Sequence, residues 1–223
     1  MLSTGYLTLT HKSEIARDTL KLQFSIKRTN TIPPSDTPVQ NPSTLPFLPG
    51  QFVSMKFGEK SWRAYSIAST PDEENLELVV RLVENGVAST VFDKSNIGDS
   101  FEFKGGFGHF ILSETPDTTL VFCATGTGIA PFRGMIQQES AKTNPRPMIL
   151  LYGGRDPEDL AYLDEIHSWS NNLETHLCFS QVKDLSTNNK SKQSPNTTIH
   201  QGRITNILAS QSLDLSPTPE FYL

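Results

Sequence analysis

Apolar and polar residues alternate through residues 6–10 and again through residues 20–26. In the second stretch Leu20, Leu22, Phe24 and Ile26 fall on one face of an extended chain. The same pattern predicts short strands over residues 51–57, 63–68, 76–83 and 100–103, and turn dipeptides separate them: Pro49-Gly50, Gly58-Glu59, Pro71-Asp72 and Gly98-Asp99. Strands at this spacing indicate a sandwich or barrel. One helix, over about residues 87–94, interrupts them.

The pattern changes near Pro116. Residues 119–124, Thr-Leu-Val-Phe-Cys-Ala, form an almost continuous apolar run, the mark of a strand covered on both faces. A helix is predicted from Ala130 to about Lys142, then a strand over 148–152, a helix over about 157–168, a strand over 175–179 and a short helix over about 203–210. Alternation of strands and helices implies a parallel sheet flanked by helices. The expected fold is therefore two-domain: an antiparallel β-barrel over residues 1–115, then an α/β parallel-sheet domain over 116–223. Residues 28–48 contain five prolines (Pro33, Pro34, Pro38, Pro42 and Pro46), which no strand ladder tolerates. They are expected to form an exposed insertion, either a tolerated surface loop or a partner-contact loop. The polar stretch 183–198 is expected to be a mobile loop of the second domain.

Composition narrows the chemistry. A net charge of −5 works against binding nucleic acid as a general polyanion. No run of eighteen apolar residues is present, so no membrane-spanning helix is expected. Two cysteines, Cys123 and Cys178, are too few for a disulfide framework or a cysteine-ligated iron–sulfur cluster. The histidines His11, His109, His167, His176 and His200 show no metal-ligand spacing, and no serine lies in a Gly-x-Ser-x-Gly context. The N-terminus lacks a basic segment followed by an apolar one, so a cytoplasmic location is expected.

Three motifs carry chemistry. Thr125-Gly126-Thr127-Gly128-Ile129-Ala130-Pro131-Phe132 follows a buried strand and opens a helix. Its glycines permit a sharp turn and close ligand approach, and the helix start offers free amides to a pyrophosphate. Pro131 suits the first helical turn, but it breaks the Gly-x-Gly-x-x-Gly fingerprint. Arg63-Ala64-Tyr65-Ser66 puts a cation, an aromatic plate and a hydroxyl on one strand, a set suited to a flat anionic ligand. Gly86-Val87-Ala88-Ser89-Thr90, just before the short helix, offers a second anion site.

Taken together and in this order, the motifs resemble those of the ferredoxin–NADP reductase family of flavoproteins. Pro49-Gly50-Gln51-Phe52-Val53, Arg81-Leu82-Val83, Gly105-Gly106-Phe107-Gly108-His109-Phe110, Tyr152-Gly153-Gly154-Arg155 and Asp159-Leu160-Ala161-Tyr162 extend the resemblance over almost the whole chain. It implies FAD as cofactor, with NADPH or NADH as co-substrate. By the same resemblance Arg63 neutralises the flavin pyrophosphate, Tyr65 stacks on the ring and Ser66 bonds near N5. Arg81, Leu82 and Val83 lie beside the phosphate chain, and Ser89 with the amides around Val87 and Ala88 holds the phosphates. Thr125, Gly126, Thr127, Gly128, Ile129, Ala130 and Pro131 cradle the NAD(P) pyrophosphate, and a hydride passes from the nicotinamide to flavin N5.

The family also implies an electron-accepting partner: ferredoxin, flavodoxin or an oxygenase. Its members usually continue past the strand at Glu220-Phe221-Tyr222-Leu223 into a Cys-Gly segment that this sequence lacks. A non-catalytic flavin-binding electron-transfer subunit, or a redox-sensing module, is the alternative reading. Nucleotide preference stays open. Arg155 is a candidate cation for a 2′-phosphate, as are Lys183, Lys190 and Lys192, while Gln181 follows Ser180 where many NADP-type members have arginine.

Overall fold

The computed structural model describes residues 3–31, 43–59, 61–182, 195–210 and 213–223. Two compact units form. The first comprises Met1–Glu14, Asp18–Leu112 and Ala130–Met135, and the second Ile15–Arg17, Ser113–Ile129 and Ile136–Leu223.

In the first unit, strands β1 (Ser3–Ala16), β2 (Thr19–Thr31), β3 (Phe52–Phe57), β4 (Ser61–Ser66), β5 (Leu76–Arg81) and β6 (Ser100–Phe107) form one sheet in the order β4-β3-β6-β1-β2-β5. A bridge between Ile67 and Leu78 joins the two ends of that order, which gives the expected antiparallel barrel-like closure. The predicted alternation is realised: Leu7, Leu9, Leu20, Leu22, Phe24, Val53, Met55 and Phe103 all face one core, with Ile26 packed at its margin. Strand β6 runs four residues beyond the predicted strand over 100–103 because its glycines fit the sheet. A Cβ on Gly105 would sit 2.6 Å from Val53 Cγ1, so the side chain of β3 takes the space.

Helix α1 (Val87–Lys94) closes this core with Phe92, whose ring meets Phe57 at 5.1 Å and Phe101 at 5.4 Å. Lys12 Nζ donates to the carbonyls of Phe92 (2.7 Å), Asp93 (2.6 Å) and Ser95 (3.2 Å), so a cation satisfies the C-terminal end of the helix.

In the second unit, β7 (Thr119–Thr125), β8 (Met148–Gly154), β9 (Leu173–Phe179), β10 (Thr197–Gln201) and β11 (Pro219–Tyr222) form a parallel sheet in the order β10-β9-β8-β7-β11. Helices α2 (Ala130–Ser140) and α3 (Ile204–Ala209) follow β7 and β10 in the chain. The order reverses at β7, with β8 on one side and β11 on the other. In open α/β sheets such a reversal marks where ligands bind, beyond the carboxyl ends of the strands.

The structure departs from expectation in two places. Residues 197–198, read as the end of a mobile loop, begin strand β10, whose Thr-Thr-Ile run pairs in register with Thr175, His176 and Leu177 of β9. The predicted helix over 157–168 is instead two single 3-10 turns, Pro157–Asp159 and Ile166–Ser168. Leu160 is extended (φ −96°, ψ 113°) and Tyr162 is left-handed (φ +62°), which no helix accommodates. Residues 32–42 of the proline-dense insertion, and 183–194 with Lys183, Lys190 and Lys192, lie outside the described residues.

Candidate functional site

In the first unit the Arg-x-Tyr-Ser segment occupies β4. Arg63 is exposed, and its Nη1 donates only to the Trp62 carbonyl (2.9 Å); no carboxylate among the described residues pairs with it. Ala64 is exposed beside it and Ser66 is half-buried. Tyr65 is half-buried too, edge-on to Phe57 (6.2 Å between centroids) and to Phe92 of α1 (5.7 Å). Burial pushes its phenol up to about 12, with Arg63 pulling the other way, so the ring is neutral and serves as a surface rather than a proton carrier.

The contact with Phe92 brings β4 against α1, at whose start the second anion motif lies. Arg81 is exposed at the end of β5, Leu82 packs at the core margin, and Val83 is exposed. Val83 then turns the chain. Its carbonyl accepts from Gly86 N–H (3.1 Å), and its own N–H donates to Ser89 Oγ (2.9 Å). Gly86 has no room for a side chain: a Cβ would lie 2.7 Å from Val83 Cγ2 and 2.8 Å from Ser89 Oγ. The first backbone bond of the helix is Thr90 N–H to Gly86 O (2.9 Å), and no side chain caps it. The amides of Val87, Ala88 and Ser89 therefore precede the helical bonding and remain available to an anion. The Ser89 hydroxyl accepts inside the turn, which leaves its own O–H as a donor.

In the second unit Thr125 ends β7 in the open and Gly126–Ile129 make a 3-10 turn that runs into α2. Gly126 sits at φ +52°, and a Cβ built on Gly126 or on Gly128 meets nothing within 4 Å. The turn thus presents bare backbone to open space, as the pyrophosphate motif requires. Thr127 is half-buried, while Ile129, Ala130 and Pro131 are buried and anchor the turn.

Behind this turn stands a residue that sequence reasoning did not single out for its chemistry. Tyr152, fully buried on β8, donates its hydroxyl to the Gly126 carbonyl (2.9 Å) and accepts from the N–H of Ala161 (3.0 Å). It lies beside Ala124 in the parallel register, two residues before Gly126, a placement that only the fold reveals.

Arg155, the candidate 2′-phosphate cation, is already engaged. Its Nε and Nη2 contact both carboxylate oxygens of Asp159 (2.9 and 3.0 Å). Asp159 also takes a bond from Arg17 (2.8 Å), which reaches Asp156 (2.9 Å) and Glu158 (3.1 Å) as well. Arg155 holds the Asp159 carboxyl below its usual range. Ser180 and Gln181 donate their N–H groups to the carbonyls of Gly154 (3.0 Å) and Arg155 (2.9 Å), placing both at the carboxyl end of β8.

Two histidines also come together. His176 Nδ1 and His200 Nε2 lie 2.8 Å apart on β9 and β10, and His176 Nε2 meets Glu174 at 2.7 Å. The spacing in sequence gave no sign of this pair. Cys123 and Cys178 are free and buried. Burial raises both thiols, and for Cys178, which Cys123 also influences, to about 11.

Comparison with known proteins finds two domain families along the chain. Residues 6–111 match the oxidoreductase FAD-binding domain family and residues 122–223 the oxidoreductase NAD-binding domain family. Methane monooxygenase component C of Methylosinus trichosporium is 34% identical over 134 residues, 59% of this chain and 39% of that protein. The flavodoxin/ferredoxin–NADP reductase of Buchnera aphidicola is 32% identical over 139 residues, 60% of this chain and 56% of that protein. Among solved structures, the cytochrome P450 reductase GcoB of Amycolatopsis superposes with a TM-score of 0.77 at 25% identity, covering 99% of this chain and 61% of that one. The chain thus matches about half the length, or less, of these curated relatives. No helix among the described residues is long and apolar enough to cross a membrane. With matches to both families over nearly its full length, the chain belongs to the ferredoxin–NADP reductase-like family of flavoprotein oxidoreductases, an FAD-binding domain followed by an NAD-binding one.

Proposed function

We propose that this chain is an NAD(P)H-dependent flavoprotein reductase, with residues 1–115 holding FAD and residues 116–223 holding the nicotinamide nucleotide. One observation carries the reading. An exposed arginine that no carboxylate among the described residues pairs with, Arg63, stands on the same strand as Tyr65, whose ring touches the helix that offers the Val87, Ala88 and Ser89 amides. A cation, an aromatic surface and a main-chain anion site in one unit suit a flavin diphosphate.

FAD, when bound, supplies acceptance of two electrons as a hydride and their release one at a time. The chain's own contribution is binding and orientation. Arg63 and the α1 amides take the diphosphate charge, Tyr65 gives the ring a neutral face to lie on, and Ser66 offers a hydroxyl near it. Arg81 and Val83 flank the phosphates. The Thr125–Pro131 turn takes the second nucleotide through its backbone, so selectivity for a diphosphate comes from main-chain geometry rather than from side-chain charge. Electrons then leave to an oxygenase component or to a small carrier such as ferredoxin or flavodoxin. The names of the relatives, a monooxygenase component and a flavodoxin/ferredoxin reductase, support both acceptor classes. A cytoplasmic setting fits the two free thiols.

The test is an anaerobic titration of the FAD-loaded chain with NADH and, separately, with NADPH, following the visible flavin band. Bleaching by either is the expected result. A band that neither bleaches would replace this reading with a flavin-binding electron-transfer subunit or redox-sensing module that does not oxidise the nucleotide itself.

A further inference from the structure

We infer that Tyr152 is a positioning residue for the nucleotide pyrophosphate, acting through the Gly126–Thr127 peptide. The inference rests on the nucleotide-binding reading of the second unit and deepens it.

In a trans peptide the carbonyl oxygen and the following N–H point to opposite sides of the bond. The Gly126 oxygen points inward, where it accepts the Tyr152 hydroxyl at 2.9 Å. The N–H of Thr127, on the same peptide plane, therefore points away from Tyr152. The turn is open around it, since side chains built on Gly126 or Gly128 would touch nothing within 4 Å. Rotation of this peptide would turn the amide inward and the carbonyl outward, replacing a donor with an acceptor that repels phosphate. Such a rotation turns ψ of Gly126, which no Cβ hinders, together with φ of Thr127. A hydrogen bond to the carbonyl opposes it.

Only a hydroxyl does this here. Tyr152 Oη must donate to Gly126 O and accept from Ala161 N–H (3.0 Å) at once, and a hydroxyl has one donor and acceptor capacity to spare. The second bond fixes the hydroxyl in turn. Ala161 precedes Tyr162, a left-handed residue (φ +62°) whose carbonyl takes the N–H groups of Glu165 (2.8 Å) and Ile166 (2.9 Å), so the donor belongs to a braced loop. Full burial of Tyr152 keeps water from competing for either bond. The phenol is raised above its ordinary range, chiefly by burial, so the proton that makes the bond to Gly126 is retained.

The experiment compares full-length wild type with Tyr152→Phe, which keeps the ring and removes the oxygen. Affinity for ADP is expected to fall about tenfold, while affinity for adenosine, which has no phosphates, stays within twofold. Loss of both in equal measure indicates general damage to the unit and overturns the inference, as does unchanged ADP binding. Should the variant fail to fold, wild type alone decides: the Thr127 amide resonance should move on addition of inorganic pyrophosphate. A Thr127 amide that stays put while ADP binds overturns the positioning role alone. Wild type that binds neither ADP nor pyrophosphate overturns the nucleotide-binding reading along with it.

Discussion

Glu139 and Arg146 form a closed pair inside the second unit. The carboxylate of Glu139, with no exposed surface, receives the Nε and the backbone N–H of Arg146 on one oxygen (both 3.0 Å) and its Nη2 on the other (2.8 Å). Arg146 extends the link by donating to the carbonyl of Thr115 (3.0 Å), ahead of β7. One ion pair thereby ties the end of α2 to the segments that enter β7 and β8.

This pair predicts an acid limit to stability. Burial alone would raise the Glu139 carboxyl, but hydrogen bonds from Arg146 and Lys142 outweigh it and hold the group at about 2. The folded value is depressed relative to the unfolded one. The contribution is therefore complete above the ordinary carboxyl range and is lost as pH falls from about 4.5 towards 2. Urea midpoints should be flat from pH 7 to pH 5 and drop below that. In Glu139→Gln that part of the drop should vanish, and the variant should already be about 3–5 kcal/mol less stable at pH 7, because the buried Arg146 loses the carboxylate it bonds and keeps Glu220 at the longer distance of 3.9 Å.

Arg63→Ala should separate flavin binding from folding. Among the described residues the exposed guanidinium bonds only its neighbour's carbonyl, so the thermal midpoint of the flavin-free chain should change by no more than about 0.5 kcal/mol equivalent. Flavin absorbance per chain after purification should fall severalfold. Full flavin content in the variant would remove Arg63 from the diphosphate site.

Gly128→Val tests the other unit. A branched side chain has open space there and costs the fold little, but it occupies the space a pyrophosphate would need. Calorimetry should show ADP affinity reduced by more than tenfold, with flavin content and thermal midpoint near those of wild type. Unaltered ADP affinity would show that the turn does not take the phosphates.

The thiols make a prediction in the opposite sense, namely of inertness. Cys123 and Cys178 are buried and both are shifted upwards, so neither is a thiolate near neutrality. A chromogenic disulfide reagent at pH 8 should label native protein slowly and label two thiols per chain at once in denaturant. Rapid labelling of native protein would contradict the buried placement.

Most strands were legible because their burial is periodic. Leu20, Leu22 and Phe24 alternate with polar residues because one face of β2 meets a core and the other does not, and the unbroken run of β7 reflects cover on both faces. The glycine turns were legible because they need a residue type as well as a pattern. What escaped depends on partners far away in sequence. Tyr152 reads as one more apolar residue of a buried strand, and only the fold reveals what its oxygen meets. Tyr162 carries no composition cue for a left-handed backbone, so residues 157–168 read as helix. Strand β10 lies beyond a polar run, and His176 and His200 become neighbours only once β9 and β10 are side by side. Arg155 was readable as a cation, but its commitment to Asp159 was not.

The inward bond of Ser89 has an implication for how this protein can change. Because the Ser89 hydroxyl accepts from Val83 N–H and Gly86 leaves no room for a Cβ, the loop that presents the amides at the start of α1 is held in shape from within. Peptide groups are common to every sequence, so substitution cannot exchange these amides for other ligands. The site can be lost by deforming the loop, and it is inherited with the loop's shape. Drift at exposed positions such as Val87 therefore leaves its chemistry untouched, whereas a single methyl group at position 86 would not.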